Sequence, residues 1–344
     1  MSVQKILAQA REKGIPVRLI AGVSFVDAAC AALALDPLAR GLQVADATDL
    51  ARHHFPPLNP DQPALVGQVY NRTVASDCKL TLLVLYPPDH PVTLIDAAGT
   101  AGQHVRWLPL EQLDHAEHWA SGSSLGYLLT TLYVPPLPHP GSFEALGEVI
   151  AHLRAPEGCP WDREQTHASL RNSLLEEAYE VLEAIDEDDM PHLQEELGDL
   201  LLHVMLQSQI AVESGEFSIS AVITAIAAKL VRRHPHVFGD VRVNGTDEII
   251  ANWEKIKQAE NGGKPKEKPS IPRGLPALAL AEKVAKRGRL APDLKEIAGQ
   301  IEKLGRSRNR EQSLGAVLLA LAGYAAAKNI DAESALRMVA SRQK

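Results

Sequence analysis

Residues 174–205, LLEEAYEVLEAIDEDDMPHLQEELGDLLLHVM, decide the fold of the middle of this chain. The stretch holds two pairs of carboxylates, and the members of each pair are three positions apart: Glu177 with Glu180, and Glu196 with Asp199. Residues i and i+3 lie on the same face of an α-helix, and apolar residues recur at helical spacing around both pairs. A polar break at 186–192 separates them. We therefore predict an antiparallel helical hairpin in which the four carboxylates converge.

Four converging carboxylates repel one another unless a cation neutralises them. An all-oxygen set of ligands suits Mg²⁺ or Mn²⁺ better than zinc or copper. Two alternatives are ordinary exposed helix faces and an iron-binding bundle. Iron bundles supply histidine as Glu-x-x-His, whereas His203 follows Asp199 by four residues. We therefore predict a site for Mg²⁺ or Mn²⁺, in which His203 is not a ligand but either supports the ligands or packs in the core.

Composition restricts the class of protein. The 344 residues suffice for two or three domains, and 45% hydrophobic content supports real cores. A net charge of −8 argues against a broad nucleic-acid or anionic membrane surface. Three widely spaced cysteines suggest neither a disulfide framework nor a thiolate metal site. With no apolar signal core at the amino terminus, we expect a soluble, cytoplasmic protein that binds neither nucleic acid nor a membrane.

Residues 1–137 have an α/β pattern. Helices are predicted at 6–12, at 74–79 and at 24–35, the last capped by Ser24. The predicted strands are 16–20, 64–70, 80–86, 91–96 and 127–134. This alternation predicts a mixed sheet covered by helices.

Residues 141–261 become helical and charged. An amphipathic helix at 143–153 precedes the turn-rich APEGCPWD, and Asp162 is predicted to cap the next short helix. Trp161 lies at the tip of this loop. It is either a packing residue or a flat surface on which a nucleobase stacks.

A second amphipathic helix ends in a dense basic group: Lys229, Arg232, Arg233, His234 and His236. Cations are favoured at helix carboxyl termini, so part of this group is explained by the helix end alone. In an acidic protein with a predicted metal site, the group also suggests a polyphosphate ligand. Trp253 and Lys255 are candidates to extend the same binding surface.

The carboxyl-terminal part repeats the apolar pattern of the hairpin without its acids. Residues 262–270 form a flexible linker. SLGAVLLAL at 313–321 then aligns with ELGDLLLHV at 196–204, which puts Ser313 in the place of Glu196 and Ala316 in the place of Asp199. We predict that 271–344 is a degenerate, metal-free second helical module.

Four motifs, in this order and spacing, resemble the MazG nucleoside triphosphate pyrophosphohydrolases: CPWDREQTHASL, LLEEAYEVLEAI, ELGDLLLHV and KLVRRHPHVFGD. The resemblance covers about 143–258. It implies an all-α, usually dimeric module that hydrolyses NTPs or dNTPs to the monophosphate and pyrophosphate with Mg²⁺. Four residues match the family's metal ligands, namely Glu177, Glu180, Glu196 and Asp199. Glu176 is then a group that accepts a proton or supports the ligands.

The resemblance also assigns roles to the substrate-binding candidates. Lys229, Arg232 and Arg233 are expected to contact phosphate oxygens, with His234 beside them, and Trp161 to border the base or sugar. Two other activities stay open. One is a narrower enzyme that acts on dUTP or a phosphoribosyl nucleotide, and the other is a regulatory protein that binds nucleotides without turnover.

The amino-terminal part resembles the carboxyl-terminal half of tetrapyrrole (corrin/porphyrin) methylases, through AGVSFVDAACAALALDP and QVYNRTVASDCKLTLLVLYPPDHPVTLIDAAG. In that family an amino-terminal subdomain with a glycine-rich loop helps hold S-adenosylmethionine. No such loop precedes Gly14 here. We therefore expect no S-adenosylmethionine binding and no methyl transfer, and interpret 1–137 as a remnant or interaction domain unless a separate chain supplies the missing half.

Overall fold

The computed structural model describes residues 3–19, 22, 24–119, 129–260, 271 and 275–341. It divides into two compact units, Met1–Ile223 and Thr224–Lys344. The first unit contains an α/β domain and the carboxylate hairpin, and the second contains the basic group and the carboxyl-terminal helices. The predicted linker 262–270 lies outside the described residues.

Five strands of the described chain form one mixed sheet. They are β1 (Gln43–Asp46), β2 (Ala64–Gly67), β3 (Pro91–Asp96), β4 (His104–Pro109) and β5 (Thr130–Val134), in the spatial order β1-β2-β5-β3-β4. β1 and β2 are parallel, and the other neighbouring pairs are antiparallel. The predicted mixed sheet is confirmed.

Helices cover both faces of this sheet. They are α2 (Phe25–Leu33), α3 (Ala47–Leu50) and α4 (Arg72–Leu82), and they follow α1 (Val3–Glu12), which contributes no described residue to either core. Because successive strand residues point to opposite faces, Leu65 packs with Ala29 of α2, whereas Val66 packs in the larger core with α3 and α4. Ser24 caps α2 as predicted, since its hydroxyl accepts a hydrogen bond from the amide of Val26.

Two of the predicted strands are wrong. Residues 80–82 continue helix α4, which begins after Asn71, whose side chain caps the amide of Val74. Within α4 the buried residues Ala75, Cys78 and Leu82 follow helical spacing, so the apolar run from 80 belongs to a helix and its following turn. Residues 16–19 are exposed and outside any strand. Strands β1 and β4 were missed because polar residues interrupt their apolar pattern.

A cavity of about 440 Å³ lies at the edge of the sheet where β1 and β2 end. Its lining includes Asp46, Gly67, Gln68 and Thr130. Asp46 is held firmly, because it caps α3 and accepts a hydrogen bond from the side-chain amide of Gln68 at 2.5 Å. All three cysteines are free, and Cys30 and Cys78 are buried.

The central helices are α5 (Phe143–Arg154), α6 (Pro160–Glu164), α7 (Arg171–Asp186), α8 (Met190–Glu213), α9 (Ile219–Arg233), α10 (Pro235–Phe238) and α11 (Thr246–Ala259). Those of the central helices that belong to the first unit share a core, which includes Ile150 of α5, Leu170 just before α7, and Leu206 of α8. The predicted role of Asp162 as a helix cap is wrong. Asp162 lies inside α6, and Cys159 occupies the cap position.

The turn between α7 and α8 is only three residues long and satisfies both helix ends. Asp188 adopts the left-handed conformation with φ of 56°. Its amide donates to the carbonyl of Ile185, and the amide of Asp189 donates to the carbonyl of Ala184, which is the Schellman pattern. Asp189 also caps α8, because its carboxylate accepts from the amide of His192 at 3.1 Å. The predicted hairpin is confirmed.

Replacing Asp188 by glycine is expected to stabilise the protein by about 0.5 kcal/mol, because glycine adopts positive φ without steric cost. The urea midpoint of the two proteins measures the change. Glu183→Gly, inside α7, is the matched control and is expected to destabilise by about 1 kcal/mol. Equal destabilisation by both substitutions would contradict the assignment of the turn.

The carboxyl-terminal helices are α12 (Ala277–Gly288), α13 (Leu294–Arg306), α14 (Arg310–Ala327) and α15 (Ala332–Ser341). α12 and α13 both pack against α14. Gly323 permits the close approach, since a Cβ there would lie 3.1 Å from the carbonyl oxygen of Leu290 and 3.2 Å from Pro292. Asp293 and Glu296 form a reciprocal capping box at the start of α13.

In the described part of the chain, no single helix is long and apolar enough to cross a membrane. One pair of helices, Arg310–Ala327 with Ala332–Ala340, meets the length and composition criteria only together, and it is bent by 111°.

Candidate active site and comparison with known proteins

Three carboxylates meet between α7 and α8. Glu177 projects from α7, and Glu196 and Asp199 project from α8. One oxygen from each of the three lies within 4.8 Å of the other two. Glu180 is one helical turn after Glu177 and is hydrogen-bonded to it. The hairpin thus brings together the predicted carboxylates, and Glu176 is exposed on the same helix.

The crowding of these acids changes the titration of Glu177. Burial, the hydrogen bond with Glu180, and the charges of Glu180, Asp199 and Glu196 raise the pKa of Glu177 to about 7. Glu177 therefore keeps its proton up to about neutral pH in the metal-free protein. Such a group of acids is stabilised by a positive charge placed among them.

The site offers an unsatisfied ligand atom. Glu196 is buried, with 7% of its surface exposed. Its Oε1 lies 3.1 Å from Nε2 of His192, whereas its Oε2 has no hydrogen-bond partner in the described chain. A buried carboxylate oxygen without a partner is costly. Because all the converging donors are oxygens, the residues fit a hard divalent cation such as Mg²⁺ or Mn²⁺.

Two histidines lie next to this cluster. His203 is buried, and burial lowers its pKa, so it is a neutral core residue at physiological pH. His192 contacts Glu196 from one helical turn earlier. His192 was predicted to lie in the break between the helices but belongs to α8, and its contact with Glu196 was not predicted. The spacing of four residues from Glu196 was the signal that could have found it.

In metal-free buffer, Glu177→Gln is expected to be more stable than the wild type at pH 8, by about 1–2 kcal/mol. The folded pKa of Glu177 is about 7, above its ordinary value of 4.5. The contribution of Glu177 to the stability of the wild type is therefore fully present below pH 4.5 and is lost as the pH rises through 7. The advantage of the variant should vanish towards pH 5.

Thermal unfolding of the two proteins between pH 5 and pH 8 measures the difference in stability. The titration of the histidines affects both proteins equally and therefore does not contribute to this difference. Saturating Mg²⁺ is expected to stabilise the wild type more than the variant. A constant difference from pH 5 to pH 8 would contradict the crowding of acids around Glu177.

Trp161 lies inside α6, not at the tip of a loop as predicted, and an arginine fastens this helix. Arg154, at the end of α5, pairs with Glu213 at the end of α8 through two contacts of 2.8 and 2.6 Å. It also donates to the carbonyl oxygens of Asp162 at 2.5 Å and Gln165 at 3.3 Å. The Arg154 side chain is 6% exposed, whereas Trp161 is 65% exposed. Helix α6 is thus held in place, and its tryptophan faces solvent.

The predicted basic group belongs to the second unit and is organised around an acid. Arg232 and Arg233 contact Glu260 at 2.7 and 2.6 Å, and these bonds lower the pKa of Glu260 to about 2. Arg233 also lies over the ring of Trp253, at 5.3 Å from its centroid. Of the predicted basic group, Arg232 and Arg233 meet at one carboxylate. That carboxylate, Glu260, is 27 residues beyond Arg233 and was not predicted.

The other predicted substrate-binding residues have local or exposed positions. Nδ1 of His234 lies 2.7 Å from the carbonyl oxygen of Leu230. The ring of Trp253 also has a second cation over it, because Nζ of Lys257 lies 4.5 Å from the ring centroid. Lys229 and Lys255 are exposed.

Family models match both parts of the chain. The MazG nucleotide pyrophosphohydrolase domain matches residues 165–238, which include the carboxylate hairpin and the basic group. The tetrapyrrole (corrin/porphyrin) methylase family matches residues 2–114, which form most of the α/β domain. The fold and the carboxylate site therefore define a fusion of a methylase-like domain with a helical pyrophosphohydrolase-type domain.

The chain belongs to the MazG family. It is 40% identical over 207 residues to the nucleoside triphosphate pyrophosphohydrolase/pyrophosphatase MazG of Thermotoga maritima. This match covers 80% of that protein and 57% of this chain. The chain is also 40% identical over 296 residues to the uncharacterised protein YabN of Bacillus subtilis, which covers 83% of this chain. The chain spans 57% of the length of that Bacillus relative.

Among solved structures, a MazG-related protein from Thermotoga maritima is 28% identical, with a TM-score of 0.30. The match covers 33% of this chain and 98% of that protein.

Proposed function

We propose that this protein hydrolyses nucleoside triphosphates, NTPs or dNTPs, to the monophosphate and pyrophosphate with Mg²⁺. The observation that carries the proposal is the convergence of Glu177, Glu196 and Asp199, with a buried oxygen of Glu196 that has no partner in the described chain. The names of the MazG relatives support the same reaction.

Each carboxylate has a role in this proposal. Glu177, Glu196 and Asp199 hold the metal, and Glu180 completes the set from the neighbouring turn of α7. A divalent cation at such a site neutralises phosphate charge and makes a water molecule more acidic. Glu176, exposed at the same end of α7, accepts a proton or supports the ligands. No nucleophilic side chain is required.

We further propose that Lys229, Arg232, Arg233, His234 and Lys255 bind the phosphate groups, and that Trp161 and Trp253 border the base or sugar. Arg232 and Arg233 are paired with Glu260, so a phosphate group must displace this carboxylate or share its two arginines. The high exposure of Trp161 favours a stacking surface over a packing residue.

The active form is proposed to be a homodimer. The hairpin exposes large apolar side chains along its outer faces: Leu174, Leu175, Leu182, Ile185, Leu197 and Val204. A second copy of the hairpin would bury them. Light scattering after size-exclusion chromatography tests this, and Leu182→Asp is expected to shift a dimer to monomers.

The proposed role is removal of unwanted nucleotides from the cytoplasmic pool. Pyrophosphate release from a panel of NTPs and dNTPs, with Mg²⁺ and with EDTA, tests the proposed reaction. Turnover with Mg²⁺ and none with EDTA is expected. Release from dUTP or a phosphoribosyl nucleotide alone would favour the narrower enzyme. Nucleotide binding without release from any of them would favour the regulatory binder.

The α/β domain is proposed to have no methyltransferase role. Calorimetry with S-adenosylmethionine is expected to give no saturable heat. Saturable binding would overturn this interpretation.

A further inference from the structure

A cavity of about 520 Å³ lies in the carboxyl-terminal helices. It is open to solvent on one side and is bordered by the connection between α12 and α13, by one face of α13, and by α14. The apolar part of its lining consists of Leu290, Ala291, Pro292, Ala316, Leu319 and Ala320. The volume is within the range of pockets that hold small organic ligands.

This cavity occupies the place of the metal ligands in the repeat. Ser313 and Ala316, which align with Glu196 and Asp199, both line it. The burial pattern supports the alignment. Residues buried on α8 at 203, 205, 206 and 208 correspond to residues buried on α14 at 320, 322, 323 and 325. Two carboxylates are thus replaced by a hydroxymethyl and a methyl group, and the freed space is open.

The lining no longer suits a cation. The hydroxyl of Ser313 is engaged with Oγ of Ser307 at 2.8 Å and with the carbonyl oxygen of Asn309 at 3.0 Å. The carboxylate in the lining, Glu296, accepts a hydrogen bond from the amide of Asp293 at 3.1 Å in the capping box. The remaining charged groups of the lining are cations.

Two side chains give the cavity a specific polarity. Arg289 and Lys303 line the cavity, and neither makes an ion pair with any described residue. Gln300 also belongs to the lining, but its Oε1 is buried and does not face the cavity. The lining therefore offers two cations that lack an anion, and an apolar wall.

We propose that this cavity binds a nucleoside monophosphate without a metal ion. The base packs against Leu290, Pro292 and Leu319, and the phosphate contacts Arg289 and Lys303. Two cations are enough to neutralise one phosphate group. A triphosphate carries more negative charge and would need a metal ion to neutralise it, which this cavity has no carboxylate cluster to hold. The choice of this nucleotide rests on the proposed function, whose product it is.

Calorimetry of the full-length chain in EDTA, with AMP, GMP, CMP and UMP, tests the proposal. One site per chain is expected for at least one of them. Orthophosphate and the free nucleosides are expected to bind at least about tenfold more weakly, because each satisfies only part of the lining.

Variants locate the site. Lys303→Gln is expected to weaken binding about tenfold, and Ala316→Phe to block it by filling the cavity. Lys295→Gln, on the same helix but outside the lining, is the matched control. Asp199→Asn is expected to bind as the wild type does. Circular dichroism confirms that each variant is folded.

Several outcomes would overturn the proposal: no saturable binding by the wild type, equal binding by orthophosphate, or no effect of both Lys303→Gln and Ala316→Phe. Loss of binding in Asp199→Asn would move the ligand to the carboxylate site and also overturn it. Failure of the proposed function appears separately, as absent pyrophosphate release, and nucleotide binding in EDTA would then still support the cavity.

Discussion

Asp199→Asn is expected to reduce pyrophosphate release by roughly two to three orders of magnitude at saturating nucleoside triphosphate and Mg²⁺. The substitution keeps the size of the side chain and removes one of the three negative charges that meet within 4.8 Å. It leaves Glu177 and Glu196 in place on the hairpin. The loss should appear mainly in kcat, with a higher Mg²⁺ concentration needed for half activity.

The matched controls lie on the same two helices. Glu183 on α7 and Glu195 on α8 are exposed and outside the carboxylate cluster. Glu183→Gln and Glu195→Gln are expected to retain activity within about a factor of two, because an exposed charge contributes little. Full activity of Asp199→Asn, or an equal loss in the controls, would contradict the site assignment.

The second large effect concerns stability. Arg154→Met is expected to destabilise the protein by about 2–3 kcal/mol. It removes the ion pair with Glu213 and the two hydrogen bonds to the carbonyl oxygens of Asp162 and Gln165. The cost is below that of a fully buried pair, because Glu213 is 39% exposed and regains water. The urea midpoint measures the loss, and proteolysis near Trp161 reports whether α6 has come free.

Arg171→Met provides the control, since Arg171 is an exposed residue at the start of α7. It is expected to change the free energy of unfolding by less than about 0.5 kcal/mol. Adding Glu213→Leu to Arg154→Met is expected to cost little more, because the two residues act through one contact. A loss in Arg154→Met no larger than in Arg171→Met would show that the contact is unimportant.

The hairpin was predictable from the sequence because its determinants are local. Two acids three residues apart must share a helix face, and the apolar spacing shows which face packs. The contacts of Arg154 and Glu260 were not predictable in this way. Each joins residues 27 to 59 positions apart, and the sequence gives no signal for the partner.

The wrong secondary-structure predictions in the α/β domain have a different cause. An apolar run such as 80–86 satisfies the pattern of a buried strand and of a buried helix face equally well. Two features favour the helix: Asn71 caps its start, and the buried residues Ala75, Cys78 and Leu82 follow helical spacing. Strand β4 was missed because, as an edge strand, it carries polar and exposed residues such as His104.

The three-residue turn at 187–189 has a consequence for the evolution of the carboxylate cluster. A helix advances about 100° for each residue, and Asp189 completes the cap of α7 and begins the cap of α8. A single inserted residue would rotate Glu196 and Asp199 away from Glu177, or break a cap. The length of this turn therefore sets the angle between the carboxylates of the two helices, and selection on the cluster should permit substitutions at 187–189 far more readily than insertions or deletions.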